Sequence, residues 1–535
     1  MTSHGWRVLA VLAAAQFLMV LDQAVMNVSI SQLVSDFDTD VTTIQAVIAL
    51  YSLVMAAFMV AGGKMGDILG RRRAFTIGHV IYGAGSLLTA LAWSVPALLV
   101  GWSVLEGLGA ALVLPALVAL TARSFEGPAR ALAYGVLGGV SGAGIAVGPI
   151  LGGWVTTNLT WRLVFAGEVV VVLAILIGAR ALPKGGARPG ARLDGVGAAL
   201  CSLGLALVVL GILEASTWGW LQPRNSPVTP FGFSLTPFMV AAGIAVLVGF
   251  RIWQRHRERT GREPLVHFRL FGIPPLRSGL GMFLFQNLIL MGIFFAVPLY
   301  LQIVQGFDAF ETGLRMLPVS VTLFLTALAG SRLAGRYPAR TLVRVGLALV
   351  LAASVLLLST IKPDIETVPF AVAMGVLGIG MGLIVSQLGN VVQSSVGEED
   401  RGEAGGLQFT AQQLGASLGT ALIGAVVITG LIAGFSGKVS EDPRISAEVR
   451  QQVGVKLEGD VSFVSTDQVR KAAQDAGLNA ATTDAIVENY ADAQLTALKT
   501  GLLFAALLVC AAFLTTRRLP TAVPVARGSP EGAAA

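Results

Sequence analysis

Gly63-Lys64-Met65-Gly66-Asp67-Ile68-Leu69-Gly70-Arg71-Arg72-Arg73 separates two apolar blocks, residues 41–60 and 75–93. Each block is about twenty residues long, enough as helix to cross a hydrocarbon core of about 30 Å. The stretch between them is short and rich in glycine, which permits a tight turn between abutting helices. Its arginines suit a turn anchored at anionic headgroups on the cytoplasmic face. Asp67 can pair with a nearby arginine or a helix N-terminus, and with the glycine spacing it sets this turn apart from an ordinary basic loop.

The same pattern recurs along the chain. Membrane helices are expected at 8–31, 41–60, 75–93, 96–121, 131–155 and 163–182, then 196–212 and 237–253. A last set follows at 279–302, 312–328, 342–361, 368–392, 405–431 and 495–513. After the tenth of these, Gly330-Ser331-Arg332-Leu333-Ala334-Gly335-Arg336-Tyr337-Pro338-Ala339-Arg340 reads as a degraded copy of the first turn. A shared turn after the second helix of each set of six implies two related halves, with two helices inserted between them.

The expected fold is therefore an all-α integral membrane protein of about fourteen transmembrane helices. A first six-helix bundle occupies 1–182, and two inserted helices with a cytoplasmic linker occupy 183–275. A second bundle spans 276–520 with an extracytoplasmic loop at 434–493, and 521–535 is a flexible cytoplasmic tail. In the long loop, Ser446 and Ser465-Thr466 are placed to cap short helices.

Composition agrees with a membrane chain. Hydrophobic residues make up 54% of the sequence and charged residues 13%, against about 25% charged in a soluble domain, so a soluble protein of 535 residues is excluded. The net charge of +6 sits in alternate short loops, at 64–73, 123–130, 180–192, 251–262 and 332–340. The intervening loops hold Asp36, Asp38 and Asp40, or Asp308 and Glu311. That asymmetry puts the basic loops and both termini in the cytoplasm; it leaves no reason for a nucleic-acid partner. Cys201 and Cys510 lie far apart inside apolar blocks and suggest neither a disulfide nor a metal pair. Asp22 inside the first block, with a second block close behind, argues against a signal peptide.

The 63–73 turn resembles the signature loop of the major facilitator superfamily. The resemblance assigns Gly63, Asp67, Gly70, Arg71 and Arg72 to a conformational latch between the halves. In the fifth span, Gly142-Ala143-Gly144-Ile145-Ala146-Val147-Gly148-Pro149-Ile150-Leu151-Gly152-Gly153 is similar to the motif that accompanies export by antiport in that superfamily. Its small residues let helices approach closely, and Pro149 bends the helix at a packed seam. Leu21-Asp22-Gln23-Ala24-Val25-Met26-Asn27-Val28 resembles the first-span motif of the fourteen-helix drug:proton antiporters, multidrug efflux proteins that confer antibiotic resistance. It departs from that motif at Ala24, where threonine is usual, and at Ser31, where proline is usual. A larger departure is Ser103-Val104-Leu105-Glu106-Gly107-Leu108-Gly109. The family places there an arginine tied to proton transfer, followed by glutamine; here they are Ser103 and Glu106.

Intramembrane carboxylates are the chemical clue. Each costs about 2.5–3.5 kcal/mol at mid-helix if charged, so such groups persist where they face a cavity or pathway. Counting about 1.5 Å per residue sets Asp22, Glu106 and Glu168 at similar depth in the outer half of the first bundle. A carboxyl group withdrawn from water beside another carboxylate holds a proton more tightly, so this trio is expected to couple protons and to face a cationic substrate. The second half offers neutral groups for the substrate pathway: Gln286, Asn287, Gln387, Asn390 and Gln412, joined by Asn27 of the first span. His79 reads as a packed core residue; Trp93, Trp154, Trp161, Trp218 and Trp220 read as an interfacial belt.

The expected activity is secondary active export of lipophilic, cationic small molecules in exchange for protons, by a monomer in the cell membrane. Lipids surround it and no cofactor or metal is needed. No Gly-x-x-x-x-Gly-Lys-Ser/Thr loop supports an ATP-driven pump, and no nucleophile constellation supports an enzyme. Two alternatives stand beside it. One is export of a lipid or an endogenous secondary metabolite; the other is a sensor or scaffold that keeps the fold without transport.

Overall fold

A computed structural model of the chain describes residues 3–521 except 126, 185–192, 224, 334–335, 398–399 and 451–462. All regular structure among the described residues is helical. The first bundle holds α1 (Ser3–Val28), the short α2 (Ile30–Asp36), α3 (Val41–Leu69) and α4 (Arg71–Ala90). It continues with α5 (Val95–Leu98), a π-helical stretch (Leu99–Glu106), α6 (Gly107–Ser124), α7 (Gly127–Asn158) and α8 (Arg162–Gly178). The inserted pair is α9 (Gly195–Trp218) and α10 (Leu235–Arg259). The second bundle holds α11 (Pro274–Leu299), α12 (Ala309–Leu333), α13 (Ala339–Thr360), α14 (Thr367–Ser394) and α15 (Arg401–Glu441), then α16 (Thr466–Asp475) and α17 (Ala480–Thr515).

Twelve helices among the described residues are long and apolar enough to cross a membrane. The two remaining long helices, α4 and α7, stand where the third and fifth spans were expected. In α4 the three opening arginines lower the apolar character of the span. Local chemistry sets the helix ends. The Asp40 carboxylate accepts from the Thr43 amide, and Asp194 caps α9 through the Gly197 amide. Gly70 sits at φ 90°, a left-handed conformation that glycine alone adopts without strain, and so α3 turns directly into α4.

The long outer segment is more ordered than a loop. α15 and α17 run well past the expected spans, so 434–441 and 480–493 are helical. They stay paired there: Phe435 packs edge-on to Tyr490 at 5.2 Å, and Lys438 reaches Asp492 at 3.3 Å. Arg444 bridges Asp442 and Glu488, each at 2.8 Å; its hydrogen bonds, with one from Asn489, hold the Asp442 carboxyl well below the usual carboxylate range. Ser465 opens α16 with a capping box, as its sequence suggests. The helix expected after Ser446 falls partly on residues outside the description.

The halves meet along two seams, α3 against α15 and α7 against α12, and α9 packs on both helices of the first seam. Near the 36–40 end the seams are bonded closed. Gln302 Nε2 donates to the Val28 carbonyl, the Ser31 hydroxyl donates to Gln302 at 2.6 Å, and Gln45 donates to the Thr420 and Ala421 carbonyls. Ser417 donates to the Ala49 carbonyl and the Phe310 amide to Thr157. At the opposite end the linker after α10 touches both halves: Glu263 pairs with Lys64, and Glu403 accepts from the backbone and ring of His267.

One residue of the tryptophan belt is corrected. Trp161 is 1% exposed, and its indole donates to Asp36 at 2.8 Å, so it anchors α2 to α8 instead of facing headgroups. Trp93, Trp154 and Trp220 are exposed as a belt requires. Cys510 is exposed and Cys201 half-buried.

Candidate functional site

Three helices bring the acidic trio together. Asp22 comes from the outer third of α1, Glu106 closes the π-helical stretch before α6, and Glu168 lies two turns into α8. All three are 0–2% exposed, and one oxygen from each lies within 4.8 Å of the others. The wider π turn, a geometry frequent at functional sites, ends at Glu106 itself. Gly85 of α4 makes the approach possible: a Cβ there would meet the Gly101 carbonyl and the Glu106 side chain at 2.7 Å.

Each carboxylate has one oxygen held and one without a partner. Trp102 Nε1 donates to Asp22 Oδ1 at 2.7 Å, and Tyr51 stacks on the Trp102 ring with centroids 4.4 Å apart. Tyr82 and Ser86 donate to Glu168 Oε2 at 3.3 and 3.2 Å, and Thr89 donates to Glu106 Oε1 at 3.3 Å. Tyr82, Ser86 and Thr89 recur on one face of α4, which thus forms a hydroxyl wall along the trio. Asp22 Oδ2, Glu106 Oε2, Glu168 Oε1 and the buried Tyr51 hydroxyl lack a hydrogen-bond partner.

No lysine or arginine pairs with the trio among the described residues. Ser103, where the family's arginine is absent, is fully buried and donates to the Val47 carbonyl at 2.8 Å. Three uncompensated charges in so small a dry volume would repel one another strongly. A calcium-sized ion takes six to eight oxygens, and the four partnerless oxygens here fall short of that number.

The trio does not open on the seam between the halves, but its neighbour does. Gln23, next to Asp22, donates to Gln413 of α15 at 3.4 Å, and both reach Met55 Sδ of α3. The other candidate pathway groups divide. Gln286 is buried with Oε1 unpartnered, Gln412 is half-buried and Asn390 is exposed. Asn287 bonds its own helix at Phe283. Gln387 donates to the Gly330 carbonyl, a tie between α12 and α14 inside the second half. The Asn27 side chain lies outside the description.

In the 63–73 turn, Arg71 donates to the Gly63 carbonyl at 2.9 Å and Arg72 to the Leu182 carbonyl at 3.3 Å, both within the first half. The side chain of Asp67 lies outside the description, as do those of Pro149 and Arg332. The fifth-span glycines do form a packed seam. A Cβ at Gly144, Gly148 or Gly152 would strike α1 at 3.0, 2.4 and 2.8 Å, and one at Gly153 would strike the Ala309 carbonyl of α12 at 2.3 Å. His79 is fully buried, its Nδ1 on the Phe75 carbonyl at 2.9 Å.

Sequence reading found the three acids but missed Trp102, Tyr51 and the α4 hydroxyls. Tyr82, Ser86 and Thr89 do carry a helical spacing that could have flagged them.

Residues 12–420 match the model of the Major Facilitator Superfamily. The chain is 32% identical to the puromycin resistance protein pur8 of Streptomyces alboniger over 83% of this chain and 86% of that protein. It is 30% identical to the tetracenomycin C resistance and export protein of Streptomyces glaucescens, over 82% and 78%. The multidrug efflux pump LfrA of Mycolicibacterium smegmatis is 29% identical, over 79% and 81%. Among solved structures, a bacterial homolog of the human lysosomal transporter Spinster, inward-facing, superposes with a TM-score of 0.60 at 15% identity, over 97% of this chain and 98% of that one.

Proposed function

The chain belongs to the Major Facilitator Superfamily, and we propose that within it this protein exports lipophilic small molecules, drugs and antibiotics among them, in exchange for protons. The observation that carries this reading is the convergence of Asp22, Glu106 and Glu168 within 4.8 Å, with no cationic partner among the described residues. A cluster that needs protons to be stable senses which side of the membrane supplies them. The relatives named for resistance and export support the direction of transport and the class of cargo.

With the basic loops cytoplasmic, the termini are cytoplasmic too and the structure is closed toward the outside by the bonds at Gln45, Gln302 and Thr157. Loss of protons sets three negative charges against one another in a dry space and spreads α1, α8 and the π-helical stretch. Because α1 carries Asp22 inward and Gln23 into the seam, that movement reaches the Gln23–Gln413–Met55 contact. Cargo meets this neutral seam, while the sealed carboxylates handle the protons. Rocking of one half on the other about the seams then exposes the cargo to alternate sides.

The test is flux of a fluorescent lipophilic cation in proteoliposomes under an imposed pH gradient. Asp22→Asn, Glu106→Gln and Glu168→Gln are each expected to abolish gradient-driven flux while cargo binding, followed by fluorescence anisotropy, persists. Wild-type flux in all three variants would overturn the assignment.

A further inference from the structure

The inserted pair α9–α10 takes no part in the proton cluster, yet the last turns of α10 carry a distinct chemistry. Arg251, Arg255 and Arg259 recur every four residues on one face of α10, spanning about 12 Å along its axis. The same face continues toward the membrane interior as Ile252, Val248 and Ile244, which are 64%, 52% and 53% exposed. The opposite face turns inward: Arg257 pairs with Asp194 at 3.5 Å and donates to the Glu263 carbonyl, and Gln254 donates to Asp194 at 2.7 Å. Packing thus consumes one arginine of α10. The three on the outer face are exposed and make no ion pair or hydrogen bond among the described residues.

We propose that this face is a binding site for an anionic phospholipid, whose phosphate sits between Arg255 and Arg259 and whose acyl chain lies along Ile252, Val248 and Ile244. A depression of about 290 Å3 lined by Ile252, Arg255, His256 and Arg259 marks the headgroup position. The positive-inside tendency accounts for basic residues near this membrane face. It does not account for their segregation from Arg257 on the opposite face of the same helix. A membrane lipid is the one occupant with this order of parts, a charged head at the interface and an apolar tail toward the core. Each basic residue near an anionic surface is worth about 1 kcal/mol, and several together hold a headgroup.

The site adjoins moving parts. The segment after α10 pairs with Lys64 of the first half through Glu263, and with Glu403 of the second half through His267. A lipid that fixes the end of α10 therefore fixes the strap that touches both halves.

The test compares the purified full-length protein in nanodiscs of phosphatidylcholine alone and of phosphatidylcholine with phosphatidylglycerol. Native mass spectrometry counts retained lipid, and a thermal shift reads stabilisation. For the wild type, retained phosphatidylglycerol and a rise in melting temperature are expected. Both are expected to vanish in Arg251→Gln/Arg255→Gln/Arg259→Gln and to persist in Arg180→Gln/Arg517→Gln/Arg518→Gln, which removes three exposed charges from the same membrane face. Equal loss in the two triple variants means diffuse surface charge and overturns the site, as does equal retention. Inorganic phosphate that reproduces the thermal shift would equally overturn a lipid ligand. These readouts do not depend on proton-driven flux, so the site and the export mechanism stand or fall separately.

Discussion

Gly153→Ala puts a single methyl group into the seam between the halves, and its effect can be worked from distances. The new Cβ would sit 2.3 Å from the Ala309 carbonyl oxygen and 2.8 Å from the Phe310 Cα, both backbone atoms of α12. Ordinary van der Waals contact begins at 3.4 Å, so α7 and α12 must separate by roughly 1 Å, and overpacking of this kind costs about 1–3 kcal/mol. The cost falls only on the state closed at the 36–40 end, because opening that end relieves it. A free-energy difference of about 1–3 kcal/mol shifts a two-state equilibrium about 5- to 150-fold. Spin labels at the exposed Leu159 and Asp364 read the separation of the two halves at that end, with Cys201 and Cys510 replaced. Gly153→Ala is expected to add a longer-distance population and to slow export. Gly152→Ala is the matched control: the atoms nearest its Cβ all belong to the Val25 side chain, within the first half. It is expected to lower thermal stability and leave the distance distribution alone. Wild-type distances and export rate in Gly153→Ala would refute the idea that this seam closes by backbone contact.

Two further outcomes are expected. Tyr51→Phe removes a hydroxyl that has no hydrogen-bond partner and keeps the stack on Trp102, so thermal stability should hold while the pH dependence of flux changes; an unchanged pH–flux profile would remove Tyr51 from the proton site. Asp36 is tied to Gln32, Trp161 and Arg162; partial burial opposes them, but these bonds and the Arg162 charge prevail and hold its carboxyl below the ordinary aspartate value. A group so depressed contributes stability above its unfolded value and loses it as pH falls. Asp36→Asn should therefore cost up to about 1 kcal/mol at neutral pH, read by thermal unfolding in detergent. That difference should shrink once the pH drops below about 3.9, and a difference that grew in acid would contradict the tie.

What the sequence disclosed follows from which forces are local. Apolar length against the bilayer is a property of the chain alone, so the span positions were readable. The convergence of Asp22, Glu106 and Glu168 was readable for the same reason: depth along a straight helix is a count of residues, and three acids at one depth in one bundle have few places to go. The direction a side chain takes around its helix is different, because packing decides it. Trp102 and Trp161 are alike in isolation, yet one indole is spent on Asp22 and the other on Asp36, and neither faces headgroups. Gln387 and Gln413 look equally suited to line a pathway, but the first is used up on a carbonyl inside its own half and the second lies on the seam. The long helices α15 and α17 were misjudged at their outer ends because polar residues such as Lys438 and Asp492 end a membrane span without ending a helix, and partners across a non-local pairing keep them helical. The same distinction locates the function. The acids owe their burial to hydrogen bonds from α4 and the π-helical stretch, and the Trp102 donor stacks on Tyr51 of α3, which also forms the seam with α15. A change of charge in the trio therefore cannot be absorbed by one helix turning in place. It must be shared with the interface on which the two halves move.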